Sequence, residues 1–64
     1  MESIKKVIST IDGDVVCVDR FDADRGNIIC LYDDNNNYIG EINGSVMDYT
    51  EDELYEIVAS NIRI

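Results

Sequence analysis

The chain has 64 residues, with 14 acids against five bases and no histidine, giving a formal net charge of −9. That balance makes nucleic acid and anionic membranes poor direct partners, because binding either depends on cationic side chains displacing counterions. Without histidine there is no Ser-His-Asp or Cys-His nucleophile arrangement, and so short a chain leaves little room for the roughly 300–1,000 Å³ of a small-molecule site, so no catalytic residue is expected.

Size scaling gives a folded surface of ~4,200 Å², and a core of this size rarely contributes more than roughly 3–5 kcal/mol. The whole chain, residues 1–64, reads as one domain. It contains no apolar run of about 18 residues and its first residues lack the pattern of a signal peptide, so a cytosolic protein is expected.

Taken in order, residues 4–11 form the first predicted strand, since Val7-Ile8-Ser9-Thr10-Ile11 is rich in β-branched residues. Asp12-Gly13-Asp14 supplies a tight turn. Residues 15–21 form a second strand, expected to be the most buried. Its core side stays open: Val16 and Val18 compete with Val15, Cys17 and Phe21, and a one-residue slip exchanges them. Gly26 closes the turn 22–26 where a bulged hairpin places its glycine.

Residues 27–32 form the third strand and 38–42 the fourth, joined by the polar loop Asp33-Asp34-Asn35-Asn36-Asn37. Asn43-Gly44 marks another turn, and Ser45-Val46-Met47 reads as a brief extended lead into a helix. That helix, residues 51–60, carries the clearest signal in the chain. Thr50 and Glu53 have capping-box spacing, and Tyr49 and Leu54 stand where a hydrophobic staple requires them. Leu54, Ile57, Val58 and Ile62 fall on one stripe, with Asp52, Glu53, Glu56 and Ser60 opposite. The tail 61–64 alternates, as an edge strand or a frayed end. Hairpin-length connections make the strands antiparallel. The expected architecture is α+β, a small meander of four strands packed by one C-terminal amphipathic helix.

Cys17 and Cys30 lie on neighbouring strands, and their adjacency depends on register. They read as small buried apolar residues in a reducing compartment, and they lack the CxxC spacing of a zinc site. The Asp- and Asn-rich loops fail the calcium-loop pattern. Counting from Asp33 puts Tyr38 at the position that requires glycine and Gly44 where glutamate is needed, and counting from Asp22 puts Asn27 at the glycine position. Turn chemistry accounts for these residues, and neither metal nor cofactor is expected.

The carboxylates remain. Packed this densely they repel one another, and their natural complement is a basic protein surface. The helix acids Asp52, Glu53 and Glu56 and the loop acids Asp33 and Asp34 are the candidate contacts, with Tyr38 and Tyr55 as aromatic anchors. In size, charge and strand-plus-helix layout the whole chain is similar to small phage-encoded DNA-mimic inhibitors, such as anti-CRISPR proteins and uracil-DNA glycosylase inhibitors. The resemblance implies a non-catalytic module that occupies the basic surface of a host nucleic-acid-binding protein in the bacterial cytoplasm. The rival expectation is a self-assembling protein, a homodimer through a sheet edge or an uncovered face, whose charge only keeps it soluble.

Overall fold

A computed structural model describes residues 4–62. Strands β1 (Lys5–Thr10), β2 (Gly13–Asp22), β3 (Gly26–Asp33) and β4 (Tyr38–Asn43) pair antiparallel in the order β1-β2-β3-β4, and a single helix α1 (Glu51–Ile62) follows. The fold is the expected α+β meander with a C-terminal helix. Its accessible surface is 4620 Å².

The turns show how local chemistry sets register. The first hairpin turns on Ile11 and Asp12, with Thr10 paired to Gly13. This is one residue earlier than the β-branched run suggested, and Ile11 is left 88% exposed rather than inside the strand. Thr10 Oγ1 fixes that turn by donating to the Gly13 carbonyl at 2.6 Å and accepting from the Asp12 amide at 3.1 Å. In the second hairpin Asp22 pairs with Gly26, whose φ of +82° suits glycine as expected. The Asp22 carboxylate accepts from the amides of Asp24 and Arg25 at 2.8 and 3.1 Å.

Cross-strand partners share a face of the sheet, so the register settles which side is buried. Ile8, Val15, Cys17, Ile29 and Leu31 face the helix and pack with Val46, Leu54 and Val58, while Ile39, Ile42 and Tyr49 close the margins. Val16 and Val18 are half-buried on the other face. Phe21 shares the parity of Val15 and Cys17 yet is 76% exposed, because the far end of β2 runs past the core. The most buried strand is therefore β3 rather than β2: Ile28, Ile29, Cys30 and Leu31 are all buried in succession. Cys17 pairs with Leu31 and Cys30 with Val18, so the two cysteines lie on opposite faces and are both free. Burial pushes the Cys17 thiol up, only partly offset by Lys6.

The link into the helix is not extended. Val46–Asp48 forms a 3₁₀ turn with its own capping box, in which the Ser45 hydroxyl accepts from the Met47 amide at 3.3 Å and the Asp48 carboxylate from the Ser45 amide at 3.1 Å. Ser45 and Asp48 have the capping spacing in sequence, but over one short turn the periodic apolar signal that normally marks a helix is missing. Asp19 of β2 anchors this turn to the sheet: its carboxylate accepts from Ser45 Oγ at 2.7 Å and from the Val46 amide at 2.8 Å.

The start of α1 is built as the sequence requires. Thr50 Oγ1 accepts from the Glu53 amide at 3.1 Å, and the Glu53 carboxylate accepts from the Thr50 amide at 2.8 Å. Tyr49, the outer half of the staple, packs on the core margin and donates its hydroxyl to the Asn43 carbonyl at 3.0 Å. Leu54 and Val58, one turn apart, are fully buried, and Ile57 is half-buried. The helix continues through Asn61 and Ile62, which removes them from any edge strand; Arg63 and Ile64 lie outside the described residues. Among the described residues no helix is long and apolar enough to cross a membrane.

Candidate functional site

The predicted contact residues separate into three groups. On α1, Asp52 and Glu56 point to solvent one turn apart, and Glu53 is exposed with its carboxylate engaged by the Thr50 amide. Tyr55, 42% exposed, leans toward β1 and with Val7, Ile8, Ser9, Glu51 and Asp52 lines a groove of about 270 Å³.

Asp33 and Asp34 form the second group, and they do different work. Asp33 is half-buried and organises its loop: Oδ1 accepts from the Asn35 amide at 2.9 Å and the Asn37 amide at 2.8 Å. Asn36 takes a positive φ of 68° within that loop, which asparagine tolerates. Asp34 is exposed, and its carboxylate lies beside the first hairpin, 3.2 Å from where a Cβ on Gly13 would stand.

Hydrogen bonding, first from the Asn37 amide, holds the Asp33 carboxyl below its ordinary range. A depressed carboxylate contributes stability above its unfolded-state pKa and loses it as pH falls through the lower folded-state value. Asparagine at this position keeps the acceptor oxygen and loses the charge. The melting-temperature gap between wild type and Asp33→Asn should therefore be constant above about pH 5 and close as pH approaches about 2. Thermal denaturation followed by circular dichroism across that range checks it; a gap independent of pH would show that the loop does not depend on the ionised form.

Tyr38 stands apart from both groups, on the sheet face away from the helix. Its ring meets Tyr32 edge-on at a centroid distance of 5.9 Å, and its hydroxyl donates to Glu41 at 2.9 Å, which pushes the phenol up. Glu41 in turn holds Arg25 at 2.8 Å. Arg20, on the same face, is raised chiefly by hydrogen bonding to the Tyr32 side chain. Arg20, Arg25, Tyr38 and Glu41 surround a shallow cleft of about 320 Å³ floored by Ile28 and Cys30. Long side chains thus lie over this face, which no element among the described residues covers.

Register sets which face each charge joins, which the sequence did not reveal: Lys6 pairs with Cys17 on the helix face, and Asp14 and Glu41 share the opposite face with three of the bases. Lys5, Arg20 and Arg25 belong to the face away from the helix, because Lys5 pairs with Val18 and Arg20 with Ile28. The carboxylates divide as well. Asp19, Asp22, Asp33, Glu41, Asp48 and Glu53 each hold part of the fold. The side chains of Asp12, Asp14, Asp24, Asp34, Glu51, Asp52 and Glu56 make no hydrogen bond or ion pair with any described residue. Glu51 and Asp52 gain from the positive end of the helix dipole, whereas Glu56 lies beyond the first turn. Comparison with protein-family models, with curated proteins and with solved structures gives no match.

Proposed function

We propose that this chain is a non-catalytic binding module that occupies the basic surface of another protein, in the manner of a phage or mobile-element inhibitor directed at a host nucleic-acid-binding protein. The observation that supports the reading is the set of exposed carboxylates with no structural task. A fold gains nothing from holding Asp34 and Glu56 charged and unpaired among the described residues, and a basic partner gives those charges a complement. Glu56 stands on a helix, so little backbone ordering opposes binding there. Long-range attraction speeds the encounter and makes it salt-sensitive.

The geometry decides which substitutions test this. Glu53 caps the helix and Asp33 holds a loop, so neutralising either confounds binding with stability. Glu51→Gln, Asp52→Asn and Glu56→Gln together remove charge while leaving the capping box intact. In affinity capture from bacterial lysate, the wild type should retain a basic, nucleic-acid-binding protein that elutes as salt rises, and the triple variant should lose it. Equal capture by the triple variant would reject the helix acids as the contact.

A further inference from the structure

We propose that the free edge of β1 is where the partner docks, by adding an extended, lysine- or arginine-rich segment to the sheet as a further strand. This rests on the acidic-module reading above and gives it a site and a binding mode.

β1 is an edge strand whose ladder with β2 is unbroken from Lys5 to Thr10. The opposite edge, β4, is interrupted by a register shift beside Leu31 and Tyr32, and such an irregularity blunts an edge. The Asp19 amide donates to the Ile4 carbonyl at 3.0 Å. Ile4, Lys6, Ile8 and Thr10 therefore direct their backbone groups at β2, and by antiparallel alternation Lys5, Val7 and Ser9 turn theirs outward. A strand laid beside them finds three residues' worth of N–H and C=O groups that no described residue pairs, the geometry of β-augmentation.

The side chains along this edge say what that strand carries. Ile4, Val7 and Ile11 are 45%, 53% and 88% exposed, and because Ile4 lies on the helix side of β1 and Val7 on the other, the edge offers apolar contacts to both faces. The groove over Val7, Ile8 and Ser9 is walled by Tyr55 and by the carboxylates of Glu51 and Asp52. Asp14 faces Ser9 across the ladder, on the other side of the sheet. Successive residues of an extended segment point to opposite faces, so near Ser9 its cationic side chains meet Glu51 and Asp52 on the helix face or Asp14 on the other, while the apolar ones between them meet Val7 or Tyr55. Lys5 and Lys6 occupy the other end of the strand and favour a segment whose charges gather at the Ser9 end. A second copy of this chain is the weaker occupant: it would bring its own Glu51 and Asp52 against these, with a further net charge of −9.

The test is an NMR titration of the isotope-labelled protein with two end-blocked heptapeptides, one alternating Lys with Val and Thr, the other carrying Glu for each Lys. Expected is a response to the lysine peptide alone, centred on the Lys5, Val7 and Ser9 amides, with slower exchange of those amides with solvent. Val7→Pro removes an outward N–H that the fold does not use, and proline is tolerated on such an edge. This variant should stay folded, as its spectrum will report, and bind at least ~10-fold more weakly. Shifts gathered at Asp34 and Glu56 with the β1 amides unmoved would overturn the edge site and leave the acidic-module reading standing. Equal response to both peptides would overturn the charge basis of the proposal. Self-association abolished by Val7→Pro, without a peptide response, would make the occupant a second copy and overturn it too. No response to either peptide at millimolar concentration would also reject the edge, while lysate capture judges the broader reading independently.

Discussion

Replacing Leu54 with alanine should leave a large share of the molecules unfolded at room temperature. Leu54 is fully buried in the cluster that joins the helix to the sheet, together with Ile8, Val15, Val46 and Val58. Truncating such a leucine removes its transfer free energy and leaves a cavity, about 2–5 kcal/mol in all. A core of this size supplies only roughly 3–5 kcal/mol, so the loss is comparable with the whole stability. Urea denaturation followed by circular dichroism measures it. A loss under about 1 kcal/mol would mean that the helix is not what covers this sheet. Glu56→Ala on the outer face is the matched control and should change stability by no more than about 0.5 kcal/mol.

Asp19→Ala should be the second most damaging change, for a different reason. The half-buried carboxylate receives the Ser45 hydroxyl and the Val46 amide, and both lose their acceptor when it is removed. Hydrogen bonds to a charged group contribute about 1.5–3 kcal/mol, discounted here because the site is partly open to solvent. A net loss of about 2 kcal/mol would lower the melting temperature by roughly 8–16 °C in a domain of this size. Asp19→Asn keeps one acceptor oxygen and should fall between alanine and wild type. If alanine matched wild type, the 3₁₀ turn would have to be held by its own capping box and Val46 alone.

Much of the fold was legible because local and global signals agree. Gly26, the Asn-rich loop and the Thr50–Glu53 pair each specify a backbone conformation that the meander also needs. The first turn was misplaced because Ile11 continues a β-branched run, while the decisive contact is the Thr10 hydroxyl reaching across to Gly13. Phe21 has the right parity for the core, but position along a strand, unlike parity, is set by where the helix ends up. The same limit applies to the candidate site. Whether an acid is free or structural depends on which amide lies within 3 Å, which is why Asp33 and Asp34, adjacent in sequence, differ in role. The gathering of Lys5, Arg20 and Arg25 on one face follows from register, which composition does not carry. That β1 is an edge needed the strand order.

The proposed binding mode sets the free carboxylates in competition with nucleic acid for one basic surface. The most direct measurement is competition: a captured partner is loaded with fluorescent duplex DNA, and this protein is added at low and at high salt. Stoichiometric release of the DNA is expected at low salt, weakened as salt rises and much reduced for the variant combining Glu51→Gln, Asp52→Asn and Glu56→Gln. A stable ternary complex that keeps its DNA, unaffected by salt, would contradict it.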